Sequence, residues 1–227
     1  MFKNERLGIT IPQQEHARFA GVLAFNWGND TFDKPRYGME ALTKGVTFHH
    51  TGYGINDTVA FEEMSEKDLV GIFERDIQVD LQNVDAELVN LFHQLRLIKN
   101  RIERSGTDTL DEVQNTVERI IETKLALSKL KREDFERSNS IVHVCDRVSF
   151  NFCFGKIIES EIPVFTRNSD ESVLVQHTID HHGVIQINPW PFAISNFEGF
   201  VIGYSSDQYP DQLIPQILRY RVAPSTK

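Results

Sequence analysis

The chain has 227 residues, 40% of them apolar, enough to bury a sizeable core in one domain or in a domain with an appended lobe. Its 24 basic residues against 33 acidic ones give a net charge of −9, which opposes the counterion release behind nucleic-acid binding. No window approaches the roughly 20 apolar residues needed to cross a bilayer, and the opening MFKNERLGIT lacks the apolar run of a signal peptide. The expected location is therefore cytoplasmic, with neither nucleic acid nor membrane as partner.

The first predicted element is a helix. Thr10-Ile11-Pro12-Gln13 reads as a capping box with proline in the first turn. His16, Ala20, Leu23 and Trp27 then recur at spacings of four, three and four, which turns His16 inward, and Gly28-Asn29-Asp30 ends the run. A second helix is expected from near Pro35, with Met39, Leu42, Val46 and His49 on one face and Gly52 as the stop. TGYGINDT is a turn-rich loop. A third helix opens near Asn83, with Asp85 and Glu87 in its first turn and Leu88, Leu91, Leu95, Ile98 and Ile102 as its stripe. His93 lies nearly opposite that stripe, so it is buried only if both faces of the helix are covered.

From Leu110 to about Ser138 a long charged helix is predicted, with Leu110, Val113, Val117, Ile120 and Leu127 inward. Ile141 to Cys153 is apolar nearly all round, as in a central helix, and Asp146 is the anomaly within it. Cys145 and Cys153 fall eight residues apart in that pattern, roughly 12 Å along a helix, too far for a disulfide. Beyond Lys156 the character changes: SVLVQHTI, GVIQIN and FEGFVIGY are short β-branched or aromatic runs between turn residues. DQLIPQILRYRVAP reads as a closing helix or an extended segment. The expected architecture is mainly α: a helical bundle over residues 1–155 carrying the site, and a small antiparallel β-sheet lobe over residues 156–227 packed on it as one continuous domain.

The chemistry lies in the histidines and Asp146. A single inward histidine such as His16 is ordinarily a hydrogen-bonded core residue. Asp146 changes that balance, because a carboxylate on an apolar helix costs several kcal/mol to bury without a cation or strong donors. A metal held by imidazoles is one solution; an ion pair with Arg147, Arg18 or Arg96 is the other. His49 and His50 diverge by about 100° on a continuing helix and can face one centre only if the chain unwinds there; otherwise His50 is a polar C-terminal cap. His177, His181 and His182 resemble metal spacing, but no preorganised helix or cysteine pair supports that, and a polar hairpin turn explains them. No G-x-S-x-G elbow, Walker loop or G-x-G-x-x-G occurs, and neither cysteine has a nucleophile signature.

In order along the chain, IPQQEHARFAG with a following NWG, HHTGY with IND, NVDAELVNLFH, CDRVSFNFC and NPWPF together resemble a bacterial family of unknown function, domain-of-unknown-function family 3891. That family is similar to the HD metal-dependent phosphohydrolases, all-helical proteins whose metal is held by a His, a His-Asp pair and a later Asp. The resemblance implies an HD-like bundle with His16, His49 and Asp146 as metal ligands and His93 and Asp57 near the pocket. The chain departs from the pattern in two places: His50 stands where the family's loop has Asp, and Tyr53 where it has Trp. Imidazole in place of carboxylate removes a negative charge and a bridging ligand, which favours Fe, Zn or Ni over Mg or Ca.

The function these readings lead to is a metal-dependent hydrolase acting on a phosphoester. It would use one or two divalent transition-metal ions (Fe, Mn, Zn or Ni) at His16, His49, His50 and Asp146. Asp57 and His93 are the catalytic candidates, Asp57 as proton acceptor. Arg18, Arg96 and Arg147 are candidates to hold the phosphate, since a planar guanidinium pairs bidentately with it. The alternatives are a non-catalytic metal- or ligand-binding protein with a degenerate site, and a di-iron oxygenase. The expected partner is a small phosphorylated molecule, and homo-oligomerisation stays open.

Overall fold

Two short strands precede the first helix. In the computed structural model, which describes residues 1–106, 108–155, 160–167 and 169–225, β1 (Phe2–Asn4) pairs antiparallel with β2 (Ile9–Ile11). These join strands from the other end of the chain: β3 (Ser160–Phe165), β4 (Ser172–Ile179), β5 (Val184–Asn188), β6 (Phe197–Ser205) and β7 (Pro215–Pro224). The sheet order is β1-β2-β6-β7-β5-β4-β3. β5 and β7 run parallel, with Val184 opposite Arg221, and the other pairs are antiparallel.

The expected helical bundle with a small C-terminal antiparallel sheet is thereby corrected. The fold is α+β, and its sheet is seven-stranded and mixed. The reasons are physical: three residues are too few for an alternation to register, and β7 reaches β5 by passing back beside β6, a non-local pairing that no local pattern encodes. Thr10 shows the cost of reading locally. It lies in β2 with its hydroxyl 3.0 Å from Ser206 Oγ, and the helix after it starts at Pro12 without any side-chain cap.

The helices are α1 (Gln13–Phe25), α2 (Gly38–Thr47), α3 (Glu66–Asp76), α4 (Val84–Ser105), α5 (Asp111–Leu125) and α6 (Arg132–Phe154), with a 3₁₀ stretch at Thr51–Thr58. The segment read as one long charged helix is two. It breaks after Leu125, where Ser128 Oγ bonds Asp85 Oδ1 at 2.7 Å and accepts from the Leu130 N–H, and Leu127 is left exposed. α6 then runs without interruption through the apolar stretch that holds Asp146. α3 escaped the sequence reading although Ser65 and Asp68 form a reciprocal capping box at its start.

One buried cluster draws on α1, α2, α4, α5, α6 and on β3 to β7. Within it Phe135 stacks on Tyr37 and Phe92 at centroid distances of 5.0 and 5.7 Å; side chains of this kind each contribute roughly 1.5–3 kcal/mol by burial. α4 touches α2, α5 and α6, so both of its faces are covered and His93 is fully buried. The close approach of α2 to α4 depends on Gly45, where a Cβ would lie 2.6 Å from the Ala86 carbonyl oxygen. The W-G and W-P-F motifs meet each other: Trp27 bridges Phe192, and Gly28 N–H donates to the Pro191 carbonyl at 2.8 Å. Both cysteines are free and buried. Among the described residues no helix is long and apolar enough to cross a membrane.

Candidate metal centre

α2 ends at Thr47, two residues before His49. The chain therefore unwinds where continued helix would have splayed the two imidazoles apart, and both rings turn to the same place, 4.0 Å apart at their centroids. Three contacts hold this turn. Gln94 of α4 donates to the His49 carbonyl, Asp76 at the end of α3 accepts from the Gly52 N–H, and Arg75 Nε donates to the Gly52 carbonyl at 2.7 Å. Gly52 is required there, since a Cβ would sit 2.5 Å from the Ile72 carbonyl oxygen and 2.6 Å from Asp76 N.

α1 brings His16 and α6 brings Asp146 to the same point. One ligand atom each from His16, His49, His50 and Asp146 lies within 4.8 Å of all the others, and this group could hold a metal ion. His16 Nε2 is 3.2 Å and His49 Nε2 3.5 Å from Asp146 Oδ1. Asp146 Oδ2 is 3.3 Å from the Arg96 guanidinium, so the ion-pair alternative and the metal alternative use different oxygens of one carboxylate.

The tautomers follow from the neighbours. Val46 O can only accept, so His49 Nδ1 carries the proton shared with it. Ser149 Oγ has two carbonyl acceptors, Cys145 O at 2.9 Å and Asp146 O at 3.0 Å, for its single proton, and so accepts from His16 Nδ1 at 2.8 Å. Both Nε2 atoms are then lone pairs facing a carboxylate oxygen. Charging His16 would supply a proton, but burial opposes it and drives its pKa down from the ordinary imidazole value, as it drives that of His50 well down. Asp146 is held ionised by the Arg96 guanidinium, 3.3 Å from its Oδ2. His49 Nε2 and His50 Nδ1 are buried without a hydrogen-bond partner among the described residues. Unprotonated nitrogens gathered round an ionised oxygen repel one another unless a cation joins them, and this donor set fits a metal.

His93 differs from the other three. Its Nδ1 is 2.9 Å from an Arg96 nitrogen, which can only donate, so the proton resides on Nε2, and that buried N–H has no hydrogen-bond partner among the described residues. Burial first, then His49, push its pKa well down and keep it neutral. Asp57 lies outside the donor group, its Oδ1 accepting from Gln13 N–H at 2.8 Å and paired with the Met1 amino group at 3.0 Å. Arg18 is engaged by both oxygens of Glu15 and by the Phe200 carbonyl. Arg96 and Arg147 line a cavity of about 470 Å³ into which His50 and Asp146 open. His177 bonds Asn151, and His181 and His182 are exposed in a turn.

Sequence reasoning missed Ser149, although it stands in CDRVSFNFC, three residues after Asp146. It also missed Gln94 and Asp76, whose contacts are non-local, and Arg101 and Arg104, which share the α4 face of His93. Fold and site together define a seven-stranded α+β protein whose helices close a His/Asp cluster. The family described as Protein of unknown function (DUF3891) matches residues 78–205, more than half of the chain, and the chain belongs to it. That segment contains His93 and Asp146 and excludes His16, His49 and His50. No curated protein and no solved structure matches the chain.

Proposed function

We propose that the protein is a metal-dependent hydrolase of a phosphoester, with His16, His49, His50 and Asp146 as the metal ligands. The observation that carries this reading is the convergence of three imidazole nitrogens and one carboxylate oxygen beside a cavity lined by guanidinium groups. Three nitrogen donors and one oxygen suit Fe, Mn, Zn or Ni, as one ion or two, better than Mg or Ca. Such an ion supplies Lewis-acid chemistry, making water a nucleophile near neutral pH and polarising phosphoryl oxygens.

The chain's own groups do the rest. Arg147 offers a planar donor to the phosphate beside the cluster. Arg96, bound to both Asp146 and His93, fixes these two relative to each other. His93, its Nδ1 occupied, contributes a hydrogen-bond donor in place of a ligand. A second reading, a binding centre without turnover, draws on His50, which stands where the family's loop carries Asp.

The test is metal analysis of protein purified without an affinity tag, followed by assay on bis(p-nitrophenyl) phosphate with added Mn, Fe, Co or Ni. About one or two equivalents of transition metal are expected, with metal-dependent hydrolysis that His93→Ala lowers by about 100-fold or more while changing stability less. Metal without turnover selects the binding centre. Protein free of metal under every growth condition sinks both readings.

A further inference from the structure

The cavity beside the cluster has two unlike walls. One carries four guanidinium groups, those of Arg96, Arg101 and Arg104 from α4 and of Arg147 from α6. The other is apolar, with Phe61, Leu69, Ile72 and Phe73 from the segment before α4 among its side chains. In an acidic chain this concentration of positive charge needs a reason. Arg96 has one, its bond to Asp146. Arg101, Arg104 and Arg147 form no ion pair among the described residues, and Arg147 rests over the Phe150 ring at 5.7 Å. The carboxyls in the cavity wall do not balance them: Asp146 is already shared by Arg96 and the histidines, and burial pushes Asp76 up to about 8, so it is protonated at neutral pH.

The spacing along α4 gives the charge a direction. His93, Leu97, Arg101 and Arg104 fall on one face of the helix at steps of four, four and three. Arg96 stands at the level of the cluster, and Arg101 and Arg104 lie about 7.5 and 12 Å further along the axis. A substrate with one phosphate would leave the outer pair of guanidiniums unused.

We infer that the cavity takes an elongated amphiphilic dianion: a phosphoester held at the cluster by Arg147, a second anionic group held by Arg101 and Arg104, and an apolar spacer against the Phe61–Phe73 wall. This rests on reading the cluster as a phosphoester site. The second group is a phosphate or a carboxylate, and both pair with guanidinium forks.

Three phosphonates that cannot be hydrolysed at carbon separate the possibilities: hexylphosphonate, hexane-1,6-diylbisphosphonate and 6-phosphonohexanoate, titrated calorimetrically into the full chain with Mn present. The bisphosphonate should bind about tenfold more tightly than hexylphosphonate, the gain of one well-formed charge-assisted contact. The carboxylate analogue matches it if any anion serves, and matches hexylphosphonate if the outer site is built for phosphate. In Arg101→Gln/Arg104→Gln the ratio of bisphosphonate to hexylphosphonate affinity should fall to within about twofold of one, and the double lysine variant should retain part of it. Equal affinity for the mono- and dianions, a ratio unchanged in the glutamine variant, or no binding of any probe overturns the proposal. If the two arginines only stabilise the end of α4, the variant loses thermal stability and keeps the ratio. Absent hydrolysis with this ladder intact defeats the hydrolase reading alone; hydrolysis with a flat ladder defeats only the dianion.

Discussion

The chain has two histidine-rich places, and they differ in everything but composition. At the end of β4 and in the turn to β5, His177, His181 and His182 lie within six residues of one another. His177 accepts a hydrogen bond from Asn151 Nδ2 at 2.9 Å. His181 and His182 are exposed, in a turn pinned by Asp180 Oδ1, which accepts from the His182 and Val184 amides. At the helical centre, His16, His49, His50 and His93 come from two helices and the turn after α2, and three of the four place a buried ring nitrogen in one group with Asp146. Density of histidine along the sequence is therefore a poor guide to a site. Direction of the ring nitrogens, fixed by what binds the opposite nitrogen, is a better one.

The largest contrast should appear on removing metal. Chelation of the purified protein is expected to lower Tm by roughly 5–10 °C, the shift produced when a ligand at about 100 times its Kd is lost from a domain of this size. His16→Ala and Asp146→Ala should lose bound metal and the chelator response together, while His181→Ala/His182→Ala keeps both. A chelator effect that survives in Asp146→Ala and disappears in the hairpin variant would reverse the comparison.

The hairpin cluster should instead register in acid. Burial, with Arg147 adding to it, pushes His177 down to about 4 from its ordinary 6.5. The unfolded chain takes up this proton as pH falls through 6.5 and the folded chain resists until about 4. Stability is thus complete above 6.5 and declines between 6.5 and 4, by up to about 3 kcal/mol from this residue. His177→Gln, compared with the parent by urea unfolding of metal-free protein at pH 7 and pH 4.5, should show a shallower decline. Parallel decline in the two proteins would show that His177 protonates as readily folded as unfolded.

The smallest expected effect is the most specific. Ser149→Ala removes the acceptor that holds the His16 Nδ1 proton. Metal affinity should fall by about 10- to 100-fold, as for other groups that orient a ligand, and stability by about 1 kcal/mol. Competition with a chromophoric chelator measures the first and thermal unfolding the second. Unchanged affinity would mean that the tautomer of His16 is set by something other than Ser149.

Local physics made much of the helical half legible. Asn83 caps α4 as its position before Asp85 and Glu87 implied, and the stripe Leu88, Leu91, Leu95 and Ile98 is buried. The β-branched runs after residue 170 became strands at nearly the expected bounds. Asp146 stood out because a carboxylate on an apolar helix demands compensation. What the sequence could not carry was relative placement. β1 and β2 exist as strands because β6 lies beside Ile9 and Thr10, and β7 pairs with β5 through a return of the chain. Whether His50 capped a helix or faced the cluster depended on where α2 ended, which Gln94 and Asp76, far away in sequence, help to hold. Residue type and period are local properties and survive in a string of letters. Ring direction, partner and proton position arise only when distant elements pack, and these are the properties that separate the candidate centre from the hairpin turn.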